Sequence, residues 1–526
     1  MQAEPGRPPR VPRGAVLAGA LAVGVAGDLL LHSSRGPGLN LLLLFGVLAL
    51  VVVLVNRRAG VKPDLEAGAW MAAGLLFAMA FLFRAAPALQ LLAFLAASAA
   101  FAFPALRAGR GWLAGSGVSD HLEAIGAAIL HSGVGPLRLL AQGSPGGAGV
   151  SGGGPAPEEA PAHDRHASPR MGWGILRGIF LAVPLLLLFG ALFMSADRVF
   201  AGIVTELFRI VDPGEVASHL VFMGLLTWLA SGYLSGFVTG TRLRGWIQPV
   251  LPRPSIGIVE TGTVLGLVGL LFAAFVLVQF RYLFGGSSLV EVTPGLTYAE
   301  YAREGFAQLV VAAALVLPCL LAADWLLRRD RPRDTRVFQG LGGVQLLLLL
   351  VVIASALQRV LVYQAAYGLT ELRLYGAAFL LWLTLLSLWF AATVLRGRRE
   401  HFASVAVVSA FALVAALLVM DPDARIAGTN LARDGEFDAA YLGSLSADAA
   451  PTLLAALPAL PLDARCTLAG ALHRRWALEE RGDWRSWNRS EARARRLLAE
   501  APAGLFSTSG CPDPVEGDPW AGEAPR

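Results

Sequence analysis

Long apolar runs, broken by short polar or Gly- and Pro-containing stretches, fill the chain up to residue 420. A helix needs about 20 residues to cross the hydrocarbon core of a bilayer. Eleven runs reach or approach that length, near 14–32, 39–55, 67–83, 87–106, 172–194, 216–239, 258–280, 305–327, 338–361, 374–395 and 402–420. The pattern predicts an all-α fold: a polytopic helical membrane bundle of about eleven spans. Residues 107–171 interrupt it. "SDHLEAIGAAIL" (119–130) has Asp120 as N-cap and one apolar face, which predicts an interfacial helix along the membrane surface. "GSPGGAGVSGGGPAPEEAPAHDRHASP" (143–169) is rich in Gly, Pro and Ala and reads as a disordered linker. The expected organisation is four spans in 1–106, a cytoplasmic connection in 107–171 and a seven-span core in 172–420. In 421–526, short amphipathic segments are broken by Gly, Pro and Asp. They predict a small all-helical extramembrane domain of four or five helices.

Charge refines this picture. Charged residues make up 15% of the chain, against about 25% in soluble proteins. The net charge of +5 hides a split, because residues 421–526 carry 12 Arg and 16 Asp or Glu. With the N-terminus inside, the inner connections carry 22 Lys and Arg and the outer ones 8. The positive-inside rule then sets the N-terminus in the cytoplasm, and eleven spans set the tail outside. "LLLHSSRGPG" follows the first run where a signal peptide would show a small-residue cleavage site, so that span is read as uncleaved. No basic stripe with interleaved aromatics appears, which argues against nucleic acid; the expected partner is the lipid bilayer.

Polar residues concentrate at the outer ends of the runs. "TYAEYAREGF" (297–306) pairs Thr297 with Glu300 at capping-box spacing and places Arg303 and Glu304 deeper. "LQRVLVYQAAYGLTELRLYG" (357–376) sets Arg359, Tyr363 and Tyr367 on one face. In it Gly368 is a C-cap, Thr370 the next N-cap, and Glu371 and Arg373 follow. These residues predict one outer-face polar cluster of Arg303, Glu304, Arg359, Glu371 and Arg373, covered by tail residues 430–449. Asp434, Glu436, Asp438 and Asp448 would there meet the arginines. Gly232, Gly236 and Gly240 form a small-residue stripe for close helix packing, against the same chain in the favoured reading and against a second copy in the alternative. Cys466 and Cys511 are the expected disulfide if the tail faces an oxidising compartment. Asp28 is expected to snorkel locally or pair with Arg35, with a proton-relay role as the weaker alternative, and Asp324 is expected to pair with Arg328 one turn on. "HDRH" (163–166) lies in the linker without further ligands. No Ser/His/Asp, HExxH, P-loop or CxxC pattern stands out, so no catalytic, cofactor or metal residue is expected.

"SADRVF", "FAAFVLVQFRYLFGG", "LTYAEYAREGFAQL", "AYGLTELRLY" and "YLGSLSADAAP" occur in this order over residues 172–460. With them the chain resembles a bacterial family of multi-pass membrane proteins catalogued as domain of unknown function 4173. The resemblance implies a bacterial inner-membrane protein, with the tail then in the periplasm, and supplies no catalytic residue. Three functions are open to such a chain. A non-enzymatic protein, structural or signal-coupling, is favoured by elimination. A transporter with an outward-facing cavity should show a repeat between halves and a charged mid-membrane site, and neither is visible. A membrane-embedded transferase should carry an acid in its first outer loop or an intramembrane histidine. "HSSRGP" (32–37) has no acid, and His219 stands near a span end.

Overall fold

The computed structural model describes residues 13–60, 65–105, 118–141, 213–239, 255–284, 306–398, 400–433, 437–477 and 482–502. α1 (Arg13–Leu31), α2 (Leu39–Arg58), α3 (Leu65–Ala78) with its continuation α4 (Ala80–Phe83), and α5 (Pro87–Ala105) make the first four spans. After α6 (Val118–Ala141) come α7 (Pro213–Thr239), α8 (Ile258–Phe284), α9 (Phe306–Leu326), α10 (Pro332–Tyr367), α11 (Glu371–Thr393) and α12 (Glu400–Met420). Among the described residues, ten helices are long and apolar enough to cross a membrane. Each coincides with one of the eleven runs; the run at 172–194 lies outside the described residues. The protein is a polytopic helical membrane bundle, and exposed leucines such as Leu267, Leu271 and Leu277 on α8 suit a lipid surround.

Two kinds of packing hold it. α1 and α7 run antiparallel, with Gly19, Gly24 and Gly27 facing Leu234, Thr227 and Leu226 in turn. A Cβ on Gly24 would sit 1.9 Å from Thr227 Oγ1 and 2.8 Å from the Met223 carbonyl oxygen, so this approach admits only glycine. α6 joins the same seam. It is longer than the expected 119–130 segment, and it packs on α7 through His131 and Gly135, against Gly232, Ser235 and Gly236. Trp228 Nε1 donates to the Gly133 carbonyl (2.8 Å). The C-terminal helices instead interlock large side chains, with Leu320, Phe338, Leu349, Ile353, Leu380 and Phe390 fully buried together. Main-chain bonds from Ile256 N to Leu326 O (3.0 Å) and Arg328 N to Ile256 O (2.9 Å) tie the start of α8 to the end of α9.

These alternations sort the helix ends onto two faces. One face gathers the ends of α1, α4, α10 and α12 and the starts of α2, α5, α7 and α11, and on it the tail packs. Among its described residues the tail has five α-helices: α13 (Pro422–Leu431), α14 (Ala439–Ser444), α15 (Ala450–Ala456), α16 (Leu462–Leu472) and α17 (Arg489–Glu500). Local caps start three of them. Asp421 accepts from Ala424 N ahead of Pro422, Asp438 from Tyr441 N, and Asn488 from Ser490 N and Glu491 N. Its core is not its own. Ile426, Leu442, Leu453, Leu468 and Leu498 of the tail are buried in one cluster with Ala86, Leu89, Leu369, Leu374 and Leu417 of the bundle.

Candidate functional site

The tail grips three turns of the bundle. At the α10–α11 turn, the Asn430 amide bridges Leu369 in both directions: Oδ1 accepts from Leu369 N (2.6 Å) and Nδ2 donates to Leu369 O (2.8 Å). Gly368 beside it has φ +84°, and a Cβ there would lie 2.5 Å from Asn430 Oδ1, so the helix cap and the tail contact require the same glycine. Arg433 Nη2 donates to the Ala365 carbonyl (3.1 Å), and Glu371 N donates to the Tyr441 hydroxyl (3.0 Å). At the α4–α5 turn, Asp448 Oδ2 accepts from Ala85 N (3.0 Å) and Ala86 N (3.2 Å). Asn488 Nδ2 donates to Phe81 O and Arg84 O, both 2.8 Å, and Arg84 pairs with Asp421. At the α1–α2 turn, Ser486 Oγ accepts from Gly36 N (3.1 Å) and Trp487 O from Leu39 N (3.1 Å). Arg485 Nη1 donates there to Leu29 O (3.1 Å) and His32 O (3.0 Å).

Of the expected cluster, Arg303 and Glu304 lie outside the described residues. Arg359 stands on α10. Arg373 turns to its own helix junction: its guanidinium lies 4.0 Å from the Tyr363 ring centre and donates to Gly368 O (2.9 Å). Tyr363 and Tyr367 stack at 4.5 Å, as their i, i+4 spacing allows. Glu371 faces the tail, on the side of Asp423 and Arg475. Asn430, Arg433 and Tyr441 cover this turn, and the two described acids of segment 430–449 serve as caps. Asp448 caps α5, Asp438 caps α14, and Asp434 and Glu436 lie outside the described residues. Helix-end amides are unmet donors, and they draw these carboxylates as strongly as a guanidinium does.

Burial sets the electrostatics of the junction. It pushes the Asp448 carboxyl above the ordinary carboxylate range. It also pushes the Tyr441 hydroxyl to about 12. Arg475 is pulled down by burial and held up by Asp423, Glu491 and Glu371, while it donates to Ser444 O (2.6 Å). Two polar cavities lie under the tail. One of about 210 Å³ is walled by Arg84, Asp421, Asp448 and Arg489. The other, of about 440 Å³, is walled by Arg35, Gln90, Arg475, Trp487 and Arg495.

Other sequence expectations fall differently. Asp28 pairs not with Arg35 but with His219, whose Nδ1 lies 2.8 Å from Oδ2, because the α1–α7 seam brings the histidine to it. His32 stands beside both, its ring 3.9 Å from that of His219. Sequence reading passed over this trio, since the two histidines are 187 positions apart in a chain with eight scattered ones. Asp324 pairs with Arg329 and leaves Arg328 to Asp330 (2.9 Å), because α9 ends at Leu326 and the chain turns there. Gly232 and Gly236 pack within the chain; Gly240 lies outside the described residues. Cys466, on α16, is disulfide-bonded and Cys319 is free. Cys511 lies outside the described residues, so its pairing with Cys466 stays a proposal.

A family model for a domain of unknown function, DUF4153, matches residues 71–456. The chain belongs to that family. This corrects the resemblance to domain of unknown function 4173, a different family. The five motifs all fall inside the matched segment, but three of them chiefly set Arg and Tyr beside apolar residues. Any helix reaching a membrane interface favours such residues, and they do not separate one family from another. The match also begins earlier than residue 172, within α3, and ends at the last residue of α15. No curated protein and no solved structure matches the chain.

Proposed function

We propose that this DUF4153 protein is a non-enzymatic component of a bacterial inner membrane, with its N-terminus cytoplasmic and its tail periplasmic. In this reading the tail is a clamp that couples the first four spans to the later ones, in a structural or signal-coupling role. One observation carries it: a single domain holds main-chain groups of the α1–α2, α4–α5 and α10–α11 turns, and so of both groups of spans. The excess of positive charge on the opposite connections supports the orientation.

Spin labels at the starts of α5 and α11 test the clamp in reconstituted protein. Asn430→Ala combined with Asn488→Ala should broaden the distance between them while every span stays inserted. An unchanged distance with a released tail would show that the tail covers the bundle without coupling it. For orientation, a C-terminal alkaline phosphatase fusion should be active and a C-terminal green fluorescent protein fusion dark.

The 440 Å³ cavity favours a second reading, a transporter with an outward-facing vestibule, because three arginines line it. A small anion that copurifies with the protein and is lost in Arg475→Gln would favour this reading over the clamp.

A further inference from the structure

We propose that Asp28, His32 and His219 form a binding site for a zinc-type divalent metal ion, at the tail-side ends of α1 and α7. Their potential ligand atoms all lie within 4.8 Å of one another. His219 Nδ1 is 2.8 Å from Asp28 Oδ2 and 3.0 Å from Oδ1, and His32 Nδ1 is 3.9 Å from Oδ1. A tetrahedral ion about 2.0–2.1 Å from each donor sets those donors roughly 3.3 Å apart. That value falls between the spacings present, so small side-chain rotations suffice. Two imidazoles and one carboxylate suit zinc and its first-row neighbours, whereas calcium and magnesium take oxygen ligands. The fourth position is left to water.

A hydrogen bond from His219 to Asp28 would by itself explain only two of the three. It leaves His32 packed ring against ring on His219, with Nδ1 aimed at the carboxylate but too far away to bond to it. A bridging ion gives that placement a cause. Supporting contacts are in place as well. Ser218 Oγ lies 3.2 Å from His32 Nε2, which leaves Nδ1 as the ligating atom. Phe222 meets the His32 ring edge-on at 5.6 Å. The His219 side chain is 41% exposed, so an ion can enter from the aqueous side. Arg485 of the tail holds the His32 carbonyl, which ties the site to tail docking.

The test uses the untagged full-length chain in lipid nanodiscs, stripped by chelator and titrated with Zn²⁺ by calorimetry and with Co²⁺ by absorption. His163→Ala with His166→Ala serves as the background, so that "HDRH" cannot contribute. One ion per chain and a tetrahedral cobalt spectrum are expected. His219→Ala and His32→Ala should each weaken binding about 100-fold, since losing a ligand costs at least as much as losing an outer-shell partner. His401→Ala should leave it unchanged. Asp28→Asn keeps the shape and an acceptor for His219, so it should fold and still bind more weakly. The proposal is overturned if no stoichiometric ion binds, if Asp28→Asn binds as the parent does, or if removing "HDRH" abolishes binding.

Discussion

The α1–α6–α7 seam and the tail junction hold their elements together by opposite means. In the seam, Gly24 and Gly232 let main chains approach, while Gly27 and Gly236 make room for the Leu226 and His131 side chains. At the junction, Asn430, Asp448 and Asn488 reach across and bond to helix-end amides and carbonyls. Solvent explains the contrast. Lipid is as apolar as leucine, so helices within it gain mainly from close approach. Where helices end at the water face, their unmet main-chain groups need partners, and short amide and carboxylate side chains supply them. Net charge is secondary at such a junction, although the tail is acidic and the turns beneath it carry arginines.

The largest effect should come from the seam. A Cβ at Gly232 would sit 2.0 Å from the His131 carbonyl oxygen and 2.7 Å from that of Ser132, both main-chain atoms that cannot swing away. Gly232→Ala should cost about 3 kcal/mol in reversible unfolding from mixed micelles. At Gly236 the nearest atom is His131 Cγ at 2.9 Å, part of a side chain that can turn. Gly236→Ala should therefore cost about 1 kcal/mol. Equal losses at the two positions would erase the distinction between main-chain and side-chain contact.

A smaller loss is expected at the junction. Asn488 is fully buried, caps α17 and donates to Phe81 O and Arg84 O. Asn488→Ala should cost about 2 kcal/mol and speed tryptic cleavage at Arg493, Arg495 and Arg496 while the bundle stays resistant. Asn488→Asp keeps the cap and loses both donors, so it should fall between parent and alanine. If it matched the parent, the bonds to α4 would contribute nothing.

The smallest effect is in pH. Burial raises the Asp448 carboxyl in the folded tail. Between its unfolded and folded values the docked state then holds more protons than the released one, so docking weakens as pH rises through that window and strengthens as pH falls. Hydrogen exchange of α15 should show this trend in the parent, and Asp448→Asn should remove the Asp448 part of it. An identical pH profile in the two proteins would mean that Asp448 does not titrate with docking.

Span positions were legible because each run had to match the bilayer thickness, and ten of the eleven can be checked against described helices. Gly368 and Thr370 were readable as a helix break because cap chemistry is local. The partners of Asp28 and Asp448 were not. Each depends on which helices become neighbours, and the apolar pattern gives helix lengths without giving neighbours. The tail was legible as helical. Its sharing of a core with Leu89 and Leu374 was not, because amphipathic segments look alike whether they pack on one another or on a bundle.

The contact between Ser486 and Gly36 joins residues 450 positions apart. A ribosome delivers the first loop long before the helix turn that closes on it. Until residues 484–488 emerge, the turn at Gly36–Leu39 stands open, with the Gly36 and Leu39 amides unmet. A chain truncated before Trp484 would insert its spans and still lack its seal.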